Sequence, residues 1–242
     1  MKKIIYSLML IGSMFGLTGC QDITTEDHSV ITYYVAFEMQ GDPLMLVTVG
    51  TSYTEPGVIA TEKGVDVTSS VQIGGDVVDP NTIGLYKVVY SGTNIDGFTT
   101  SIERTVIVCN PAVTTDISGT YKSVTGTHRK NLSTQATVPY AGYPIVITKI
   151  APGFFGISDF FGGYYHPRLS ATNPNYNSTT VMYGYVQLNT DNTLGLLTSF
   201  TDYWNDSLDD LKNAAYDPIA GTIYWEAIYA DNVLSFNVLL KK

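Results

Sequence analysis

The sequence predicts an all-β chain in two units: a β-sandwich, then a small antiparallel barrel or sandwich with one short helix. Three observations carry that expectation. Hydrophobic residues make up 44% and aromatic residues 12% of the 242, enough to bury a core, while charged residues at 14% are too few for a long coiled coil. The apolar residues fall in short β-branched and aromatic runs separated by Gly, Pro, Asn and Asp turn cues. Only residues 207–215 carry a helical cue. A net charge of −9 without a basic cluster argues against nucleic-acid binding, because phosphate would be repelled.

Residues 1–19 read as a targeting segment. Lys2 and Lys3 precede Ile4 to Phe15, an apolar stretch too short to span a bilayer, and the segment ends in Leu17-Thr18-Gly19-Cys20. That ending resembles a bacterial lipobox. The resemblance implies cleavage before Cys20 and acylation of its thiol and new amine, which together exceed the threshold for stable anchoring. The membrane is then reached through a lipid anchor alone. Residues 20–29 form a polar, acidic tether with Asp22, Glu26 and Asp27. They loosely resemble the acidic tether that sends lipoproteins to the outer face in Bacteroidetes-type bacteria, which implies an outer-membrane address facing the exterior. A solvated acidic linker is the alternative. With Cys20 lipidated, Cys109 has no partner, and the alternation of Thr105, Ile107 and Cys109 makes it a small structural hydrophobe.

From Val30 to Cys109 the chain reads as strands. Val30 to Phe37 is stopped by Gly41-Asp42-Pro43, and Leu44 to Val49 is closed by Gly50. Val67 to Val71, Gly84 to Tyr90 and Thr100 to Val108 follow, with Asp96-Gly97 as a hairpin cue. About seven short strands at this spacing argue an Ig-like sandwich. The ordered blocks Tyr53 to Thr61, Asp66-Val67-Thr68, Gly84 to Tyr90, Asp96-Gly97 and Arg104 to Val108 resemble the bacterial Ig-like module of surface proteins and some pesticidal crystal toxins. Such modules space or adhere. Pro56-Gly57 makes a tight corner, and Tyr86 stands where a tyrosine corner would hold the sandwich.

Residues 110–116, with Pro111, read as a hinge. Residues 117–242 form the second unit. Its strands are expected near Ile117 to Tyr121, Ile145 to Ile150, Met182 to Leu188, Leu194 to Phe200, Thr222 to Tyr229 and Val233 to Leu240. Phe154 to Tyr165 is aromatic with glycine breaks and should bend, while Asp191-Asn192 and Asp231-Asn232 mark hairpins. Ser207 to Ala215, capped by Asp206 or Ser207 with Leu208 and Leu211 on one side, is the expected helix. Ser118-Gly119-Thr120-Tyr121, Gly153 to Asp159 and Tyr216 to Trp225 resemble the C-terminal domain of Bacteroidetes lipoproteins associated with outer-membrane glycan uptake. That resemblance implies two partners, a polysaccharide or oligosaccharide and an outer-membrane transporter complex.

Catalytic motifs are missing from the sequence. His28, His128 and His166 have no zinc spacing, and no nucleophile elbow, P-loop or dinucleotide fingerprint occurs. No cofactor, resident metal or catalytic residue is expected, and the chain reads as a non-enzyme. Carboxylates such as Asp159, Asp217 and Glu226 are explained by turns, caps or strand faces, although a glycosidase would need two of them flanking a bond. Asp202, Asp206, Asp209 and Asp210 offer hard oxygens for Ca²⁺ without the calcium-loop spacing.

Aromatic residues give the better lead, because sugar rings present apolar faces that stack on flat side chains while polar neighbours bond the hydroxyls. The candidate glycan-binding residues are Tyr203 and Trp204 with Asn205 and Asp206 beside them, aided by Tyr164 and Tyr165. A packed lid for Tyr203-Trp204, and core burial for Tyr164-Tyr165, are the competing roles. Tyr176, Asn173, Asn175 and Asn177 lie in similar loops. Trp225 shares a strand face with Ile223 and Ala227, so it is expected in the core. The resulting expectation is a surface lipoprotein that binds glycan or serves a polysaccharide uptake system. The rivals are a structural or adhesive protein-binding lipoprotein and, more distantly, a glycosidase-like enzyme.

Overall fold

A computed structural model describes residues 31–242, so the signal segment, Cys20 and the tether through residue 29 lie outside the described residues. Two sheets occupy the N-terminal part. One orders β1 (Ala36–Met39), β3 (Val58–Glu62) and β4 (Val65–Asp66); the other orders β2 (Leu44–Thr48), β7 (Thr99–Cys109), β6 (Gly84–Thr93) and β5 (Gln72–Gly75). Every pair is antiparallel except β2 and β7, which run parallel from Leu44↔Thr105 to Thr48↔Cys109. The expected strand over Val67 to Val71 is instead a turn. Asp66 accepts the Thr68 N–H at 2.8 Å, Thr68–Ser70 wind into a single 3₁₀ turn, and pairing resumes only at Gln72. The run from Val30 pairs later than expected, beginning at Ala36.

The sandwich core is small: Val47, Val58, Val88, Tyr90, Val106 and Val108. At its edge lies Arg104, completely buried. Its Nε stands 2.7 Å from a Glu55 carboxylate oxygen, and its terminal nitrogens donate to the carbonyls of Asp42 (2.7 Å), Gln40 (2.6 Å) and Gly57 (3.2 Å). The hydroxyls of Tyr53 and Tyr90 also donate to Glu55. Burial opposes ionisation of Glu55, yet these hydroxyls, the Gly57 N–H and Arg104 together hold its carboxyl below the ordinary value. Tyr86 donates to the Thr82 carbonyl at 2.8 Å, the tyrosine-corner bond expected of it.

Residues 119–241 form one ten-stranded sheet that curls into a ring. Its strands are β8 (Gly119–Ser123), β9 (His128–Asn131), β10 (Thr137–Pro139), β11 (Pro144–Ala151), β12 (Phe154–Ile157), β13 (Tyr183–Leu188), β14 (Leu194–Phe200), β15 (Asp210–Asp217), β16 (Thr222–Tyr229) and β17 (Leu234–Lys241). The pairing runs β15-β16-β17-β8-β11-β12-β13-β14, and a Thr193↔Ala215 bridge returns β14 to β15. β9 and β10 extend the first half of β17. The chain is therefore all-β, with an Ig-like sandwich first and a small antiparallel barrel second.

The expected helix over 207–215 is a correction. Asp210–Asp217 pair with β16, and the register slips between Lys212 and Ala215 around Asn213, whose φ is +53°. This bulge adds one residue, so Leu211 and Ala214 both pack on the barrel core at a spacing of three, which imitates a helical period. The short helical segments of this unit lie elsewhere, at Tyr164–Arg168, Leu169–Ala171 and Ser178–Thr180. The expected bend before them is real. A side chain at Gly163, where φ is +87°, would come within 2.3 Å of Tyr143, so only glycine lets the chain cross there.

Trp225 is in the barrel core, 1% exposed, and its indole N–H donates to the Phe160 carbonyl at 2.8 Å. Between the two units Ile107, Cys109, Ala151 and Phe154 bury one another. Cys109 is thus a packed hydrophobe at the junction, and burial pushes its thiol pKa up, away from reactivity.

Candidate functional site

The candidate residues Tyr203, Trp204, Asn205 and Asp206 form one feature. Thr201 and Asp206 bridge, so Asp202–Asn205 make a tight turn off the end of β14. Asn205 takes φ +51°, a conformation asparagine tolerates better than most residues. The Tyr203 N–H and the Thr201 hydroxyl both donate to the Thr179 carbonyl, at 3.0 and 3.3 Å, tying the turn to the preceding loop.

Beneath the turn the aromatic rings are continuous. Trp204 is half-buried, with its centroid 4.8 Å from Tyr165, 6.4 Å from Phe161 and 6.2 Å from Tyr229. Tyr203 stands edge-on to Trp204 at 5.0 Å and is 47% exposed. Tyr165 reaches Tyr176 at 5.4 Å on the other side. The indole packs against the end of the barrel, as the lid role expects, and the Tyr203 phenol is presented to solvent. Tyr164 is different. It is buried against Tyr140 and Phe236, so the core role takes it, and it supports the surface from below.

Two side chains that the sequence did not flag belong here. The guanidinium groups of Arg168 and Arg129 lie 4.8 and 5.5 Å from the Tyr164 ring centroid. Nothing in their local sequence marks them, since Arg129 arrives from β9 and Arg168 from the helical segment. Burial pushes the Tyr165 phenol pKa up to about 12, so it stays a neutral donor at physiological pH. Burial, with the Asp206 carboxylate next, raises the Tyr229 phenol also.

The polar residues near the turn divide into two groups. Asn177 accepts from the N–H and hydroxyl of Thr179 at 2.8 and 2.7 Å, and Asn173 from the Asn175 N–H at 3.1 Å, so both are engaged in local turns. Asn205 and Asp206 are exposed beside the rings, with one Asp206 oxygen accepting the Ser207 N–H. The Ca²⁺ arrangement offered by Asp202, Asp206, Asp209 and Asp210 is not realised, for among the described residues no three acidic, His or Cys side chains converge on a metal position. The other carboxylates are engaged nearby. Asp159, 4% exposed, accepts the N–H groups of Phe161, Gly163 and Met182 at 2.9, 2.8 and 3.0 Å. Asp217 holds the β15–β16 hairpin, and Glu226 accepts from Asn213.

Residues 37–108 match a family model described as "Bacterial surface protein, Ig-like domain", and residues 110–242 match one described as "-like, C-terminal domain". Over 86% of its length the chain is 38% identical to the lipoprotein BT2262 from Bacteroides thetaiotaomicron, whose solved structure is covered completely at a TM-score of 0.47. The chain belongs to the BT2262-like lipoprotein family. Family membership accounts for both units together, since the covered length runs across the Ig-like and C-terminal parts. Two further overlaps are with structures of Clostridium perfringens ZmpB. One contains the M60 catalytic domain with CBM51-1 and CBM51-2 (18% identity, 52% of this chain, 14% of that one, TM-score 0.28). The other contains CBM51-2 in complex with GlcNAc and INT domains (19% identity, 51% of this chain, 28% of that one, TM-score 0.27). These overlaps are too slight to bear on the site. No curated protein matches the chain.

Proposed function

We propose that this member of the family is a non-catalytic outer-membrane lipoprotein, anchored through Cys20 and facing the exterior, that binds glycan as part of a polysaccharide uptake system. The observation that carries the reading is the aromatic surface of Tyr203, Trp204, Tyr165 and Tyr176, which leaves a phenol ring exposed next to Asn205 and Asp206. Flat rings with polar neighbours suit the apolar face and hydroxyl rim of a sugar. Trp204 rests on Phe161 and Tyr229 of the barrel core, which limits the ordering entropy lost on binding.

Trp204→Ala tests it. The expected result is about tenfold weaker binding of the cognate polysaccharide in affinity electrophoresis. A parallel thermal melt separates the roles, because loss of the folded barrel would mark the indole as core alone, and full binding with a normal melt would remove it from the site. Anchoring is tested by Cys20→Ala, which should abolish lipid labelling and release the protein from the membrane fraction; unchanged labelling and retention would refute it. A protein-binding, adhesive role is the second reading. It is favoured by β5, an edge strand exposed at every residue with Ile73 65% exposed, which offers free backbone groups to another chain. Silence of the wild type across a broad polysaccharide panel would point there.

A further inference from the structure

A second aromatic surface lies on the outer wall of the barrel, facing the Ig-like unit. Along β13 the buried positions are Gly184, Val186 and Leu188, so the alternation turns Tyr183 and Tyr185 outward, 39% and 40% exposed. Phe200 of β14 is the direct cross-strand partner of Tyr183, with ring centroids 6.2 Å apart. Tyr185 pairs with Thr198 on one side and lies against Gly156 on the other, within van der Waals contact of the position a Cβ would take. A strand face left to solvent is ordinarily polar. Here three adjacent rings stand on it with threonine between them.

This wall is one side of a cleft of about 780 Å³, within the usual size of small-molecule sites. The opposite side comes from the sandwich, with Leu44, Thr105 and the Lys87–Glu103 ion pair at 3.1 Å. At its base the buried Ile107 and Phe154 of the interdomain cluster fix the two walls to each other. Asp202, which begins the Tyr203-Trp204 turn, accepts the Tyr183 hydroxyl at 3.0 Å and so orients that ring.

We propose that this interdomain cleft is a second binding site, for a short neutral oligosaccharide, with Tyr183, Tyr185 and Phe200 stacking its rings and Thr105, Thr198 and the Lys87–Glu103 pair bonding its hydroxyls. The ligand class rests on the glycan reading above, but the residues are different ones. Neutrality follows from charge: the cleft's cation is paired with its anion, and a chain of net charge −9 repels an acidic sugar. Hydroxyl-bearing side chains among the rings distinguish the wall from a lipid groove. β13, which carries Tyr183 and Tyr185, pairs with β12 on one side and β14 on the other, so the tyrosines' own strand offers a peptide no free edge.

The test is calorimetric titration of the mature chain with cello-, manno- and xylo-oligosaccharides, using wild type, Tyr185→Ala, Phe200→Ala and Trp204→Ala. Both cleft side chains are exposed enough for truncation to leave the fold, and a thermal melt checks this. The expected result is two sites in the wild type. Tyr185→Ala and Phe200→Ala each weaken one of them about tenfold. Wild-type isotherms in both cleft variants, with all heat lost in Trp204→Ala, would overturn the cleft and keep the loop. Loss in the cleft variants with two-site heat surviving in Trp204→Ala would do the reverse for the loop. A wild type silent to every sugar overturns both. Sedimentation of wild type and Tyr185→Ala at rising concentration detects the other occupant: a dimer lost on substitution would assign the face to a second copy and overturn the sugar proposal.

Discussion

In the sandwich six side chains are buried in one cluster, four of them inward valines of β2, β6 and β7; in the barrel twenty-five are, and Phe154 aside the large aromatic side chains Phe160, Phe161, Trp225 and Phe236 belong to it. A core that small supplies little stabilisation on its own. The sandwich compensates with polar chemistry, tying two segments of chain, 40–42 and 55–57, to one guanidinium through Glu55 and the carbonyls of Gln40, Asp42 and Gly57. The barrel rests mainly on its apolar core, and its buried polar hub, Asp159, ties backbone N–H groups only. What the contrast teaches is that two β-units of one chain can be held by opposite kinds of interaction, and so should fail under opposite conditions.

Arg104→Ala gives the largest expected effect, about 3–5 kcal/mol lost from the sandwich, because a carboxylate is left in place without its buried partner. Both tryptophans lie in the barrel, so tryptophan fluorescence follows that unit and far-ultraviolet circular dichroism follows both. Urea titration of the variant should show an early dichroism change with an unshifted fluorescence midpoint. Coincident transitions would break the comparison by making the units one cooperative body.

Acid and neutral pH sharpen it next. The Glu55 carboxyl is held below its ordinary 4.5, so its contribution is present above that pH and is lost as pH falls through its folded value. Asp159 has the opposite sign. Burial pushes its carboxyl from 3.8 up to about 7 against the three N–H donors around it, so folding retains a proton that the unfolded chain releases. Its contribution is therefore full below 3.8 and is lost as pH rises to about 7. Barrel stability should fall over that window in the wild type and stay level in Asp159→Asn, as followed by fluorescence melts. A flat wild-type profile would show that the donors, and not burial, decide the charge.

The smallest effects compare two tyrosines that each bond a carbonyl four residues back. Tyr121→Phe removes a buried bond to Ile117 at 2.9 Å and should cost about 1 kcal/mol. Tyr86→Phe removes its counterpart to Thr82, on a half-buried ring, and should cost about 0.5 kcal/mol. Equal denaturation midpoints for the two variants would remove burial as the reason for the difference.

The strands and hairpins were legible where alternation and turn chemistry agreed. Tyr216 to Thr222 is an instance: Asp217 accepts the N–H groups of Ile219 and Ala220, and Gly221 takes the left-handed conformation at φ +64°. Residues 207–215 imitate a helix in sequence because a bulge and a helix turn place apolar residues at the same interval, and only the pairing with β16 tells them apart. Trp225 is legible as core from its strand face, whereas which of Tyr203 and Trp204 is the more exposed is not, because a turn has no period from which to read direction. The role of Arg104 as a buried hub is not legible in the sequence, since its partners lie 47 to 64 residues away. Tyr183 and Tyr185 could have been flagged. Their outward face follows from the alternation of Met182, Gly184, Val186 and Leu188, once aromatic residues on the polar side of a strand are treated as informative.

The parallel pairing of β2 with β7 has a mechanical meaning. Tension applied between Leu44 and Cys109 pulls two parallel strands in opposite directions along their common axis. The cross-strand bonds from Leu44↔Thr105 to Thr48↔Cys109 then bear the load side by side, in shear, and none can be peeled open ahead of the rest. A drag force on the barrel reaches these bonds through Ile107 and Cys109, whose burial against Ala151 and Phe154 makes the junction part of the same load path.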